Sequence, residues 1–429
     1  MKFFISILII FQGFLMGAVL ENVLVNDKNI SLIYEKSSNL PIVTMQIIFR
    51  NAGSIKDSKS GLAKLSAKIL NEGTERDGSV KFAEKLESKA ISLSANAGLE
   101  TFVLEISSLK SEFKRAIELL IELLKNPNLT QSSFEKIKTL TLGNLSRKEN
   151  DYDYIASIAL NREIFKNSFL ESPQSGDVES VNSIELKDIK EFLKNSLILD
   201  NSIGVIGGDI ELSEAKSYIS EVLKNLESKP TEIEITKIDA VSEKKTIKSV
   251  KPDTKQAYIY FGAPYYVDVS DEDSYISKVA SFILGSSGFG SRMMEEIRVK
   301  RGLAYSAYSR VTLNKSYSAF NGYLQTKLEN QDEAIKVVKE IIDDFIKNGV
   351  TQKELDSAKK FLLGSEPLRN ETLSQRLSKT FLEHYRGFEI GYSKKELENI
   401  SNLTLESLNK FIKNHKEINE LTFSIVTNK

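Results

Sequence analysis

The sequence predicts an α+β protein of two related domains, each an antiparallel β-sheet packed with a layer of α-helices. Three observations carry this. The chain has 429 residues, 41% hydrophobic and 27% charged, an ordinary globular composition with length for two or more domains. Strand-like and helix-like runs follow one another in the same order in both halves. Finally, "TQSSFEKIKTLTLG" at 130–143 is echoed by "TQKELDSAKKFLLG" at 351–364, each after a helix beginning Ala-Ile, at Ala116 and Ala334.

The chain opens with "MKFFISILIIFQGFLMGAVLEN". Lys2 precedes an apolar run that ends in small residues around Gly17 and Ala18, the layout of a secretory signal peptide over residues 1–18. The alternative is a membrane anchor, but the run is short for a span and is broken by Gln12 and Gly13. The expectation is a periplasmic or secreted protein with no membrane span after signal removal.

Residues 19–228 form the first domain. A β-rich run at 42–50 closes on the turn "NAGS", and helical patterns follow at about 60–72 and 80–90. Strands are expected at "AISLSANAG" and "ETFVLEISSL", then helices from 111 to about 194. "NSIGVIGGDIE" reads as a buried strand, and a helix over 213–226 ends the half. Residues 229–250 alternate short charged and β-branched groups without helical period, which predicts a linker with some strand character. The second domain, 251–429, repeats the order: strand "KQAYIYFGAP", helices "DEDSYISKVASFIL" and "MMEEIRVKR", strands "YSAYSRVTL" and "YSAFNGYLQT", four helices, and a last strand "LTFSIV".

Composition excludes much chemistry. There are 58 basic and 59 acidic residues, so no basic surplus points to nucleic acid. No cysteine is present, which removes disulfides, thiolate metal sites and a cysteine nucleophile. The only histidines are His384 and His415. His384 follows Glu383 in "FLEHYRG", where adjacent helical residues point about 100° apart. His415 lies in a charged helix end. Both read as solvated or structural.

Two stretches stand out. In "GLAKLSAKILNEGT", residues 61–74, Ser60 can cap a helix and Gly73 can end it. Leu62, Leu65 and Ile69 form its core stripe, yet Lys64 and Lys68 stand one turn apart beside that stripe and repel each other. In "LGSSGFGSRMMEEIRVKRGLAYSAYSR", residues 284–310, glycines 285, 288 and 290 follow a helix and no Gly-Lys-Ser/Thr follows them, so a phosphate loop is disfavoured. Arg298 and Tyr305 have two readings from chemistry alone. They are structural, capping or half-buried, or they are donors aimed at a carbonyl oxygen.

The second stretch resembles the C-terminal signature of the pitrilysin/insulinase peptidases, in the branch of mitochondrial processing peptidase and its bacterial relatives. The "NAGS" turn, the "LNEGT" helix end, the "GGD" strand end and the doubled domain extend the resemblance over nearly the whole chain, and imply that each domain pair is a clamshell half. The resemblance makes Arg298 and Tyr305 substrate-binding and transition-state residues. It places substrate contacts at Gly288 and Gly290, and on an edge strand at Ser94, Ala95 and Asn96, for which an ordinary sheet strand is an equal reading. In active members the helix ending in "xxGT" carries the inverted zinc motif H-x-x-E-H. On this chain its positions fall on Lys64, Ala67 and Lys68, with the third ligand near Asn144. A protonated lysine has no lone pair for a metal, Ala67 moves no proton, and Glu72 alone makes no site. The resemblance therefore implies a subunit without zinc, paired with a homologous subunit that bears the zinc motif and acting on an unfolded or short peptide. A peptide-binding or scaffold protein of the same fold is the alternative.

Overall fold

The computed structural model describes residues 17–428, so the expected signal segment lies almost entirely outside the described residues. The first half runs β1 (Val19–Val25), β2 (Lys28–Lys36), β3 (Ile42–Arg50), α1 (Leu62–Leu70), α2 (Gly78–Glu87), β4 (Ser92–Ala97) and β5 (Thr101–Leu109). It continues through α3 (Phe113–Lys125), α4 (Gln131–Lys148), α5 (Tyr152–Ile164), α6 (Val178–Ser183), α7 (Leu186–Ser196), β6 (Ser202–Gly208) and α8 (Leu212–Leu223). The second half has β7 (Ile238–Asp239), β8 (Thr246–Val250), β9 (Gln256–Pro264), α9 (Ser274–Ser281), β10 (Ala304–Leu313) and β11 (Tyr317–Lys327). It ends with α10 (Gln331–Asn348), α11 (Gln352–Gly364), α12 (Leu373–Tyr385), α13 (Tyr392–Asn402), α14 (Leu405–Asn414) and β12 (Thr422–Thr427). Among the described residues no helix is long and apolar enough to cross a membrane.

The first sheet has the order β1-β2-β6-β3-β5-β4 and the second β10-β11-β9-β12-β8. Each is antiparallel except for one parallel neighbour pair on this path, β2 with β6 and β12 with β8, so the expected antiparallel sheets are mixed. The segment expected as a linker supplies β7 and β8 to the second sheet. Each sheet has its own apolar core, built on Met45, Ile47, Phe49, Phe102 and Leu120 in the first half and on Phe261, Phe320, Phe423 and Val338 in the second. The echoed sequences are the starts of α4 and α11, where Thr130 and Thr351 cap the helix through the backbone N–H of Ser133 and of Glu354.

The halves exchange helices. Leu373, Leu377 and Phe381 of α12 pack against Ile33, Ile48, Ile203 and Val205 on the open face of the first sheet. Leu160 and Ile164 of α5 pack with Ala240, Ala319 and Tyr260 on the second. A glycine lies under each crossing. A Cβ on Gly207 would come within 2.9 Å of Leu377, and one on Gly262 within 3.2 Å of Ile164. Polar contacts complete the clasp. Arg376 of α12 donates to the buried carboxylate of Glu35 at 2.7 Å. Glu100, in the β4–β5 turn, accepts from the Ser316 N–H at 2.7 Å and the Tyr385 hydroxyl at 2.8 Å.

At α1 the structure corrects the expected cap. Asp57 accepts from the N–H of Gly61 at 3.0 Å and of Ala63 at 2.8 Å, while the Ser60 hydroxyl donates to the Pro173 carbonyl at 2.8 Å. Ser60 is unsuited because Gly61 turns left-handed (φ 94°) before the helix begins. Burial pushes the Asp57 carboxyl up to about 7, against the pull of the backbone N–H groups.

Two predictions follow from these contacts. Arg376→Ala leaves Glu35 buried without its cation and should destabilise by about 3–5 kcal/mol in denaturant unfolding. Glu35→Ala should cost less, because Arg376 still donates to the carbonyls of Asn370 and Glu371. Asp57→Ala should cost about 1–2 kcal/mol at neutral pH. Between its ordinary value near 3.8 and about 7, the folded Asp57 binds a proton that the unfolded chain lacks, so its contribution to stability falls as pH rises through that window. Asp57→Asn does not titrate and should flatten that part of the stability–pH curve.

Candidate functional site

Of the nine residues of α1, seven are buried, and the two that are not are Lys64 and Lys68. Leu62, Leu65 and Ile69 form the core stripe as expected, and Gly73 makes the left-handed turn after the helix (φ 78°). The lysine face looks toward α4. The Lys68 ammonium donates to the Thr141 hydroxyl at 3.0 Å, and Lys148, two turns beyond Thr141, lies over the Tyr154 ring with its nitrogen 4.8 Å from the centroid. Burial lowers the pKa of Lys64 and of Lys68, and for Lys68 the charges of Lys148 and Lys64 lower it further. Among the described residues none of these three lysines has a carboxylate partner.

Asn144, expected opposite the lysine pair, instead is exposed and accepts from Arg147 on its own helix. Thr141 takes its place because it lies on the α4 face turned to α1, whereas Asn144 is about 60° round the helix. Ala67 is buried. Zinc does not fit this donor set: two ammonium groups, a methyl and a hydroxyl already accepting from Lys68. Among the described residues no group of three or more His, Cys, Asp or Glu side chains converges. Glu72 is buried and held by Lys136 at 2.7 Å. His415 sits between the Tyr265 and Phe411 rings, 3.1 Å from Glu417, and His384 has its pKa lowered by burial and by Arg50. Glu383 accepts from the backbone at the start of α13.

Of the two readings of β4, the structure places it at the sheet edge, but that edge is partly closed. The Asn71 side chain accepts from the Ala95 N–H at 2.7 Å and donates to the Ala95 carbonyl at 3.0 Å. The carboxamide takes both backbone groups that an added strand would use at Ala95. Ser94 and Asn96 remain exposed, with Ser94 opposite Glu105 of β5 and Asn96 opposite Val103.

In the second half the structure brings Arg298 and Tyr305 together. The Arg298 guanidinium lies 4.4 Å from the Tyr305 ring centroid and 4.6 Å from that of Phe289. It is stacked with two aromatic faces. Tyr305 is 82% exposed and Phe289 70%, so the arrangement is presented to solvent and is not a packing detail of the core. Each part has a local cause. Arg298 lies in a π-helical turn over Met294–Val299, with the Lys300 N–H bonded to Glu295, and such turns rotate side chains off the ordinary helical face. Its neighbours Lys300 and Arg301 are both held by Glu296, and Arg298 has no carboxylate partner among the described residues. Tyr305 falls where the β10–β11 register shifts between Ala304 and Ala307, a bulge that re-aims it. Gly288 (φ 69°) and Gly290 (φ 90°) take left-handed conformations on either side of Phe289. Phe289, Asn71, Thr141 and Lys148 were not foreseen from the sequence. Only Phe289, an exposed aromatic between two glycines in a polar loop, carried a local signal.

Two family models match the chain: insulinase (peptidase family M16) over residues 32–177, and the peptidase M16 inactive domain over 183–362. A protein of Helicobacter pylori named "Non-peptidase homolog YmxG" is 43% identical over the whole of this chain and 99% of its own length. The chain belongs to the M16 peptidase family. Similarity extends to the "Uncharacterized zinc protease YmxG" of Bacillus subtilis, 22% identical over 75% of this chain and 77% of that one. Among solved structures, a peptidase M16 inactive domain from Pseudomonas fluorescens superposes with a TM-score of 0.87 at 24% identity, covering 96% of this chain and 98% of that one. A chain of "Complex III2 from Candida albicans" gives 0.78 at 15% identity and 96% coverage of each. These likenesses establish the fold of two related α+β domains.

For this M16 member the lysine face has a direct consequence. The purified chain should retain no stoichiometric zinc after dialysis, by elemental mass spectrometry, and should cleave no peptide alone. About one tightly held zinc per chain with chelator-sensitive cleavage would refute the reading of α1.

Proposed function

We propose that this M16 member is the non-zinc-binding subunit of an exported heteromeric metallopeptidase, and that it supplies Arg298 and Tyr305 to peptide hydrolysis at a homologous subunit bearing the zinc motif. The observation that carries the reading is the exposed stack of Phe289, Arg298 and Tyr305 in a chain whose α1 has no metal ligands. A decayed enzyme has no need of a guanidinium fixed by two solvent-facing rings. Asn71 supports the same division: with Ala95 sealed, the extended peptide lies on the edge strand of the partner. Export is supported by Lys2, the apolar run and the start of β1 at Val19, one residue after Ala18.

In this reading the peptide is unfolded or short and spans a chamber between the two subunits. The Tyr305 hydroxyl donates to the oxyanion as the tetrahedral centre forms, and Arg298 holds the adjacent carbonyl or shares that charge. The metal and the general base are the partner's. The likeness in fold to a chain of Complex III2 leaves room for a second reading, a scaffold or peptide-binding subunit without proteolysis.

Purification of the chain from its native envelope tests both. The first reading expects a co-purifying zinc-bearing M16 homologue, and a mature N-terminus within a few residues of Val19. In that complex Tyr305→Phe should lower turnover by about 10²–10³-fold with assembly and Tm unchanged. Arg298→Lys should also fail, because a point charge does not replace a planar fork. A Tyr305→Phe complex that assembles and cleaves at the normal rate would leave the scaffold reading standing.

A further inference from the structure

The open face of the second sheet carries a row of aromatic rings beyond the Arg298–Tyr305 stack. Tyr308 of β10, Tyr323 of β11 and Tyr260 of β9 are direct register partners, one on each of three adjacent strands. Directly paired residues share a face, and this is the face on which Tyr260 meets Leu160 of α5. The Tyr260 and Tyr323 rings stack with centroids 5.4 Å apart and planes at 19°, and the Tyr308 ring lies 6.1 Å from that of Tyr323. The Tyr260 hydroxyl donates to Asp153 of α5 at 3.1 Å, which pins the row at one end. Tyr323 is 36% exposed and Tyr308 half-buried, so ring surface stays open at the other end.

Between these rings and α5 lies a cavity of about 440 Å³. Ser157, Leu160 and Asn161 wall it, and Arg310 and Asn321 lie at its edge. An aromatic floor with a few polar groups around it is the make-up of a pocket for a ring or an apolar side chain. A two-turn helix, about 10 Å across, would overfill it. One side chain of an extended peptide enters it, with the asparagine amides at hand for the peptide backbone.

β10 joins this cavity to the stack. Its register advances three residues, from Ala304 to Ala307, while β11 advances two, from Thr326 to Leu324. Unbroken alternation would give Tyr305 the core face of Ala307. The extra residue instead sets Tyr305 and Ser306 opposite Gln325, which shares its face with Tyr323, and the 82% exposure of Tyr305 agrees. Tyr305 and Tyr308 thus look out from the same side of the sheet, three strand residues or about 10 Å apart.

We infer that the row Tyr260–Tyr323–Tyr308 with its cavity is a subsite for an aromatic side chain of an extended peptide, about three residues from the carbonyl met by Tyr305. The spacing rests on the proposed function, which puts that carbonyl at Tyr305, whereas the choice of an aromatic side chain rests on the cavity alone. Such a side chain gains contact with the Tyr323 and Tyr308 rings beyond the apolar area it buries.

The chain has no tryptophan, so the emission of a tryptophan peptide reports binding without background. The test titrates the full mature chain into a blocked Ala/Ser peptide with one central Trp, then competes with the same peptide carrying Phe or Leu at that position. Saturable enhancement is expected, with Phe competing and Leu weaker by roughly threefold to tenfold. Tyr308→Leu and Tyr323→Leu keep apolar bulk and should each weaken binding by a similar factor with Tm little changed. Tyr323→Phe should retain it, because the ring makes the contact. In the assembled complex, cleavage should fall at one fixed spacing, about three residues, from an aromatic residue. Tyrosine-dependent binding by a chain that recruits no peptidase would support the subsite while the peptidase reading falls. No saturation, equal competition by the Leu peptide, or leucine variants that lose several degrees of Tm at unchanged affinity would overturn the subsite, whether or not the complex cleaves peptide. Cleavage with no fixed spacing from an aromatic residue would overturn its placement beside Tyr305.

Discussion

Everything described above depends on the exchange of α5 and α12 between the two halves. Each sheet has one face covered by its own helices, and its other face is partly covered by a helix from the opposite half. A buried leucine contributes about 1.5–3 kcal/mol. The exchange therefore joins two α+β units that would otherwise expose apolar sheet. Gly207 and Gly262 make the close approach possible, since a side chain at either would push the crossing helix away. Glu100 then ties the β4–β5 turn to the β10–β11 turn and to the end of α12.

Much of this was legible in the sequence, for identifiable reasons. Apolar spacing in residues 61–74 places Leu62, Leu65 and Ile69 on the core side whatever the fold, because the 3.6-residue period is local. The Thr-Gln echo was legible because capping chemistry is local too, and both threonines do cap helices. Arg298 and Tyr305 came from the resemblance, since six residues, a turn among them, lie between the two. Their shared stack depends on a π turn and a bulge that no local pattern announces.

What was missed is tertiary. The helix exchange leaves no trace in period or composition, since α12 is simply an amphipathic helix. Asp57 replaced Ser60 as the cap because Gly61 redirects the chain. Asn71 reads as a helix end until β4 lies beside it, and then its amide takes both bonds of one backbone position. Thr141 displaced Asn144 through a 60° difference in helical phase, which spacing along the chain does not resolve. β1 and β2 were not foreseen, because β1 continues from the apolar N-terminal run at Val19 with no turn residue between them to mark a separate strand.

The two halves of this M16 member present opposite features. The first carries lysines without carboxylate partners on α1 and seals its edge strand at Ala95, and the second holds a guanidinium stacked on two aromatic rings and open to solvent. The central claim is that this second feature works on chemistry held by another chain. The most direct measurement is the structure of the complex recovered from the native envelope, read for the position of the Tyr305 hydroxyl. The account predicts that it faces a metal site on a homologous subunit across a closed chamber, within hydrogen-bond reach of an oxygen of a bound peptide. A complex in which Tyr305 faces outward, or in which no subunit holds a metal, would contradict it.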